Sequence, residues 1–161
     1  MFQSIVNVKQ TSGIAGDFAD NSPRRCSAYV LNKNGNQLPT LGRAFTFKDA
    51  TNDPMQVTIG NAGTAQAPAT FAGILVNTKE LVRSALTASL EVADYSEGTL
   101  CTMGHIWVKV ATAVTVGAQA YFDPATGEIG DSTLTDGIAI SGAKFVLCNA
   151  LSNEMAVVEL A

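Results

Sequence analysis

The chain has 161 residues, a formal net charge of −4 and 15% charged side chains, against about 25% in ordinary globular proteins. Its 47% apolar residues can build a core, which argues against global disorder, and its length predicts one domain, residues 1–161. The negative charge argues against a nucleic-acid binder that relies on phosphate contacts. The apolar runs fall well short of the roughly 20 residues of a membrane span. The weakly charged surface is typical of a protein that works against partner proteins.

The first half of the chain consists of short strand candidates separated by turns. Residues 10–25 are too irregular for a strand and too rich in Gly and Pro for a helix, so they are interpreted as a loop or arm. The pair Asn34-Gly35 fits a hairpin turn. Pro54 is expected to limit strand pairing by the residues near it. The small-residue stretch 62–70 is predicted to be an exposed loop. Strands are predicted at residues 2–8, 26–31, 43–47 and 71–76.

One segment, residues 78–88, could form a short helix. Asn77 and Glu80 have capping-box spacing, and Leu81, Ala85 and Ala88 lie roughly on one face. The same stretch contains several Ser and Thr residues and runs into a strand-like sequence, so a strand remains the alternative. The chain is therefore expected to contain at most one short helix.

The second half carries the clearest strand pattern. Residues 105–110 alternate, with Ile106, Val108 and Val110 on one face and Trp107 and Lys109 on the other. Residues 119–122 form a short strand candidate, 123–127 (Asp-Pro-Ala-Thr-Gly) a turn, and 128–129 its return arm. Residues 144–150 and 155–160 are predicted to form a terminal hairpin. The predicted fold is all-β or mainly β, a compact barrel or sandwich of short antiparallel strands with a Gly-rich N-terminal loop.

Residues that carry chemistry are scarce. The chain has one histidine, His105, so a Ser-His-Asp or Cys-His arrangement would have to use it, and no serine has nucleophile-elbow surroundings. Three cysteines without CxxC spacing are interpreted as reduced core thiols, not as a disulfide or metal site. Asp17 and Asp20 are interpreted as solvated loop carboxylates, with a weak Ca²⁺ site as the alternative. We expect no enzyme activity, no cofactor and no resident metal.

A family resemblance enters at the Gly-rich loop. The stretch Gly13-Ile14-Ala15-Gly16-Asp17-Phe18-Ala19, followed by Asn21-Ser22-Pro23-Arg24, resembles the N-terminal segment of bacteriophage structural cement proteins, which are small capsid-decorating proteins. Three later stretches are similar to the family in order and spacing: 42–45, 104–108 and 117–127. The chain departs from the family pattern at Ser22, where Asn is commoner, and residues 77–90 have no clear counterpart.

The resemblance implies a non-enzymatic decoration protein. Such a protein sits on the outside of the phage head and bridges neighbouring capsomers. The implied partners are the major capsid protein and further copies of the chain, as a homotrimer, with no nucleic acid or membrane. The implied location is the outer capsid surface of the virion, after synthesis in the bacterial host cytoplasm. Alternatives are another virion surface module, such as a β-sandwich spike or glycan-binding domain, and a small glycan hydrolase.

The same resemblance points to the loop as the contact region. Aromatic and Arg side chains dominate interface energetics, and glycines allow the backbone a close approach. For Phe18 and Gly16 the alternative is a purely internal role, with Phe18 filling the protein's own core. The residues expected to contact the capsid or a neighbouring subunit are Gly13, Ile14, Gly16, Asp17, Phe18, Asn21, Pro23, Arg24 and Arg25.

Overall fold

The computed structural model describes residues 13–60, 69–78, 90–147 and 149–161, and within them the protein is all-β, without a helix. The strands are β1 (Arg25–Asn32), β2 (Ala44–Asp49), β3 (Asp53–Ile59), β4 (Phe71–Leu75), β5 (Glu97–Lys109), β6 (Gln119–Phe122), β7 (Ile129–Gly130), β8 (Ile138–Val146) and β9 (Met155–Leu160). The predicted strand at 2–8, all but the first residue of the helix candidate 78–88, and most of the predicted loop 62–70 lie outside the described residues.

The first half of the fold is a closed ring of five strands. β1 pairs with β3 in parallel, β3 with β2, β2 with β4, and β4 with β5, all antiparallel after the first pair. Antiparallel pairing of β1 with the first half of β5 closes the ring. Closure leaves this half with a barrel-like core and few free strand edges.

The second half is built on the remainder of β5. Its last six residues pair with β9, and β8, β6 and β7 follow in order across the sheet. A parallel bridge joins Ile129 of β7 to Val110, the residue that follows β5. Gly104, at φ +128°, lies where β5 passes from one half to the other. The strand of 13 residues therefore belongs to both halves.

Two apolar cores fill the fold, and the larger one contains residues from both halves, including Ala44, Ile74 and Cys101 of the five-stranded ring. Ile106, Val108 and Val110 are buried while Lys109 is exposed, which confirms the alternation predicted for residues 105–110. The first core contains Leu31, Leu41, Phe45, Val57, Ile59, Ala72, Leu75, Val92 and Leu100. The second is larger, and its biggest side chains are Phe122 and Phe145.

The predicted turn at 123–127 is confirmed, and it also joins the two halves. Thr126 Oγ1 and the Ala125 amide donate hydrogen bonds to the Asp123 carboxylate, and Gly127 takes φ +70°. The Ala44 amide of the first half donates to the Gly127 carbonyl at 2.9 Å. The sequence pattern predicts the turn, but its contact with β2 depends on tertiary packing.

One of two local predictions differs from the structure in position. Asn34 pairs with Gln37 around Gly35 and Asn36, so the turn is centred one residue later than predicted, with Gly35 at φ +57°. Pairing is limited around Pro54, in line with the prediction: Val57 pairs with Phe47 and Asp53 with Asp49, and the register of β3 with β2 shifts between these two pairs. A proline is tolerated at such a position because no ladder hydrogen bond needs its missing N–H.

The prediction of reduced thiols is wrong for two of the three cysteines. Cys26 and Cys101 form a disulfide between β1 and β5. They are direct register partners, with Cα atoms 4.0 Å apart, although 75 residues separate them in the chain. The spacing of the cysteines carried no signal because only the pairing of β1 with β5 brings them together. Cys148 lies outside the described residues.

Candidate functional site

The described part of the Gly-rich loop, residues 13–24, lies along the second half of β5. The Gly16 and Ala19 amides donate to the carbonyls of Trp107 and His105, and the Trp107 amide donates to the Asp17 carbonyl, all at 2.8–2.9 Å. Phe18 and Ile106 form an antiparallel bridge. Because β1 follows at Arg25 on the same edge of β5, the loop and β1 together line this strand from residue 107 back to residue 97.

Two glycines of the loop are in close contact with the body of the protein. A Cβ atom on Gly13 would lie 2.3 Å from the Trp107 ring. Gly16 takes φ +90°, and its carbonyl accepts the Asn77 amide at 2.8 Å. The glycines of the motif therefore let the loop pack tightly on its own fold.

Two carboxylates of the loop hold it through side-chain hydrogen bonds. Asn77 Nδ2 donates to Asp17 Oδ1 at 2.7 Å. Asp20 Oδ2 lies 2.5 Å from His105 Nδ1, and Asp20 Oδ1 accepts the Ser22 amide and hydroxyl. The hydrogen bonds from Ser22, followed by that from His105, lower the pKa of Asp20 from 3.8 to about 2.

His105 connects this carboxylate to the opposite edge of β5. Its Nε2 atom lies 3.8 Å from Glu159 on β9, and Glu159 in turn pairs with Lys144 on β8 at 3.2 Å. The loop, β5, β9 and β8 are thus linked by one row of polar side chains. These groups are partly exposed, so each contact adds little stability by itself, and their main effect is to orient the loop.

Phe18 is the aromatic residue of the site, and Arg24 covers its ring. Phe18 is partly buried against the larger core, and the Arg24 guanidinium lies over its ring, 4.4 Å from the centroid. A cation–π contact of this kind is worth about 0.5–1 kcal/mol at an exposed position. Phe18 is therefore shared between the protein's own core and a surface that carries arginine.

The predicted contact residues fall into two groups. Gly13, Gly16, Asp17 and Phe18 are buried or partly buried and attach the loop to the body. The other five are exposed, and we call them the exposed loop set: Ile14, Asn21, Pro23, Arg24 and Arg25. Ile14 is 54% exposed, which is high for a large apolar residue.

Sequence reasoning missed the partners that hold the loop. The sequence shows His105 only as a lone histidine and Trp107 only as a residue on the outer face of a strand, yet the backbones of both are hydrogen-bonded to the loop. Asp20 and His105 are 85 positions apart, so no local motif could connect them.

Three carboxylates of the described residues accept hydrogen bonds from nearby turn residues, which lowers their pKa values. Shifted pKa values occur at Asp20, Asp49 and Asp131, and all three are lowered, chiefly by hydrogen bonds from Ser22, Asn52 and Thr133 respectively. A general acid at neutral pH needs the opposite shift. The same residues contain no group of three or more metal-ligating side chains and no helix that could span a membrane.

Comparison with known proteins first defines the class. The fold recurs in a chain of the structure titled "The capsid of Myoviridae Phage XM1", with a TM-score of 0.68 and 18% identity over 99% of this chain and 96% of that one. The chain thus has the fold of a protein found in a phage capsid. No curated protein matches it.

The family follows from the sequence itself. The family model described as "Structural cement protein (E217 gp24/Pam3 gp6)" matches residues 2–161. The chain belongs to this family of phage structural cement proteins, as the loop motif indicated. It is a structural protein of the virion, its role is tied to the capsid, and the family implies a non-enzymatic role.

Proposed function

We propose that this cement protein binds the outer surface of the phage head and bridges neighbouring capsomers through the exposed loop set. The observation that carries the proposal is a set of five exposed side chains, two of them arginines, on the loop and the first residue of β1, whose backbone is hydrogen-bonded to β5. A fastened loop loses little conformational freedom on binding, so more of its contact energy becomes affinity. The arginines provide the charged groups that are common in interface hot spots.

The stabilising effect on the shell would be multivalent. We propose a homotrimer at a threefold or quasi-threefold site, where each subunit contacts a different copy of the major capsid protein. Linking such contacts can raise overall binding by about 10²–10⁴ without any new contact. A protein that binds only the assembled shell stabilises that state by mass action. The proposal needs no catalysis, cofactor, nucleic acid or membrane.

Co-sedimentation with expanded and unexpanded shells of the same phage tests this function. We expect saturable binding with a stoichiometry that matches the symmetry of the lattice. The variant Arg24→Glu/Arg25→Glu should bind at least tenfold more weakly, which corresponds to about 1.4 kcal/mol. Lys33→Glu/Lys48→Glu makes the same charge change at two exposed positions, one directly after β1 and one in β2, and serves as the matched control.

The outcomes separate the parts of the proposal. Equal weakening by both double variants would indicate a general charge effect and would remove the loop as the contact. Absence of binding to either shell, from protein shown to be folded, would reject capsomer bridging. Sedimentation velocity of the free protein and of protein released from shells tests the trimer.

A further inference from the structure

The disulfide lies where the loop meets the first strand. Cys26 is the second residue of β1 and comes directly after Arg24 and Arg25 of the exposed loop set. The pairing of β1 with β5 shifts its register between Arg25 and Cys26. A covalent link at this point therefore fixes the end of the loop as well as the start of the strand.

The disulfide also joins β1 to β5. The pairing of these two strands, which we call the seam, closes the five-stranded ring. β1 has six register pairs with β5 but only three with β3. The attachment of β1 to the ring thus depends mainly on its pairing with β5, which is the strand that carries Cys101. Opening of this seam would release β1 and the base of the loop together.

Exposure differs between the two sulfur-bearing residues. Cys101 is fully buried, whereas Cys26 is only partly buried at the edge of the larger core. A reagent in solution therefore reaches Cys26 first. Because the partner residue is already opposite, the second step needs no rearrangement of the strands.

The life cycle of a virion protein takes the chain through two redox environments. It is synthesised in a bacterial cytoplasm, where thiol pools keep cysteines reduced, and it then leaves with the particle. We propose that Cys26 and Cys101 are a free dithiol during synthesis and assembly and become a disulfide after release, as an oxidative lock on the seam and the loop. This inference uses the virion location and does not depend on capsomer bridging.

The oxidant is a small-molecule disulfide outside the cell. The Cys26 thiolate attacks one sulfur of that molecule, forms a mixed disulfide and expels one thiolate. The Cys101 thiolate then attacks Cys26 Sγ and expels the second. Two protein thiols are oxidised, one external disulfide is reduced to two thiols, and the two protons go to the medium or to the released thiolates.

The lock should raise stability without a change of fold. A link between residues 75 positions apart restricts the unfolded chain strongly. By the usual range for disulfides, it raises the folding equilibrium constant roughly 30- to 1000-fold. Particles would therefore become more robust after release, when no further copies can be supplied.

Counting thiols at two stages tests the timing. Infected cells and released particles are each denatured directly in N-ethylmaleimide, and the mass of the intact chain gives the number of adducts. We expect three adducts inside cells and, after incubation of particles with oxidised glutathione, at most one adduct. Protection of two thiols inside cells would overturn the proposal, and so would three adducts on oxidised particles.

Denaturant unfolding of the purified chain tests the consequence. Dithiothreitol should lower the folding equilibrium constant of the oxidised protein at least about 30-fold and should not affect Cys26→Ser/Cys101→Ser. Cys148→Ser is the matched control and should respond like the parent chain. An equal effect of the reductant on the double variant would reject the lock. Neither experiment uses shell binding, so failure here is distinct from failure of the capsomer-bridging proposal.

Discussion

Two glycines with nearly the same backbone conformation have very different surroundings. Gly35 takes φ +57° and Gly60 takes φ +56°, a region that costs a residue with a Cβ about 1–2 kcal/mol. A Cβ on Gly35 would meet nothing within 4 Å, whereas one on Gly60 would lie 2.0 Å from the Ala125 carbonyl oxygen. The backbone of the 123–127 turn therefore packs directly on the end of β3.

This pair separates conformational strain from steric contact. We expect Gly35→Ala to destabilise the protein by about 1 kcal/mol, since only the backbone conformation is strained. Gly60→Ala should cost more than about 3 kcal/mol, because the Ala125 carbonyl is backbone and cannot move alone. Urea unfolding of both variants measures the difference, and equal losses of stability would show that the turn does not pack on β3.

Asp20 makes the attachment of the loop dependent on pH. Its pKa is about 2 in the folded protein and 3.8 ordinarily, so ionisation favours the folded state. This contribution is complete above pH 3.8 and disappears as the pH falls through 2. Asp20→Asn should therefore lower the thermal midpoint at pH 7, and the difference from the parent chain should vanish near pH 2.

Thermal unfolding between pH 7 and pH 2 provides the measurement. The control is Asp136→Asn, which removes one exposed carboxylate away from the loop and so reports the general effect of losing an acidic group. A deficit of Asp20→Asn that stays constant down to pH 2 would mean that the charge of Asp20 does not hold the loop.

At the scale of elements, β5 organises the protein. Its first half pairs with β1 and β4, and its second half pairs with β9 and the loop. The alternation at 105–110 predicted only the second part of this strand. The first part was missed because Gly98 and Gly104 interrupt its sequence, although their lack of a side chain allows the close packing seen there: a Cβ on Gly98 would lie 2.5 Å from Leu31 Cδ1.

The loop is expected to behave as an additional strand beside β5. Gly13→Ala places a methyl group against the Trp107 ring, so the Gly16 and Trp107 amides should lose roughly tenfold in protection against hydrogen exchange. Ile14→Ala alters the exposed neighbour and should leave their protection unchanged. If all of these amides exchange freely in the parent chain, the loop is a detached arm and its attachment to β5 is wrong.

At the scale of the whole molecule, the two halves share a strand, a turn contact and the larger apolar core. The predicted single domain, residues 1–161, is our proposal for the folding unit, since neither half can keep all its pairings without β5. The ion pair of Arg43 with Glu128 also connects the halves at 3.0 Å, but it is partly exposed and contributes under about 1 kcal/mol.

A shared strand predicts a single unfolding transition. Trp107 fluorescence reports the second half, and the paired rings of Tyr29 and Phe47 place a near-UV signal in the first. We expect the two signals to change at the same denaturant concentration, with calorimetric and van't Hoff enthalpies equal. Separate midpoints would divide the chain into two units. Val108→Ala, in the shared strand, should shift both signals together.

The sequence by itself determined the class of fold, several strands, the 123–127 turn and the family. These features rest on local alternation, on turn residues and on a motif, all of which can be read within a few positions. Tertiary structure decided the ring closure, the disulfide and the division of the loop into attached and exposed residues. Each of these depends on partners from 60 to 85 positions away, such as Asp17 with Asn77, Cys26 with Cys101, and Asp20 with His105. Strand pairing across such distances is set by the packing of the whole chain, and local sequence patterns do not specify it.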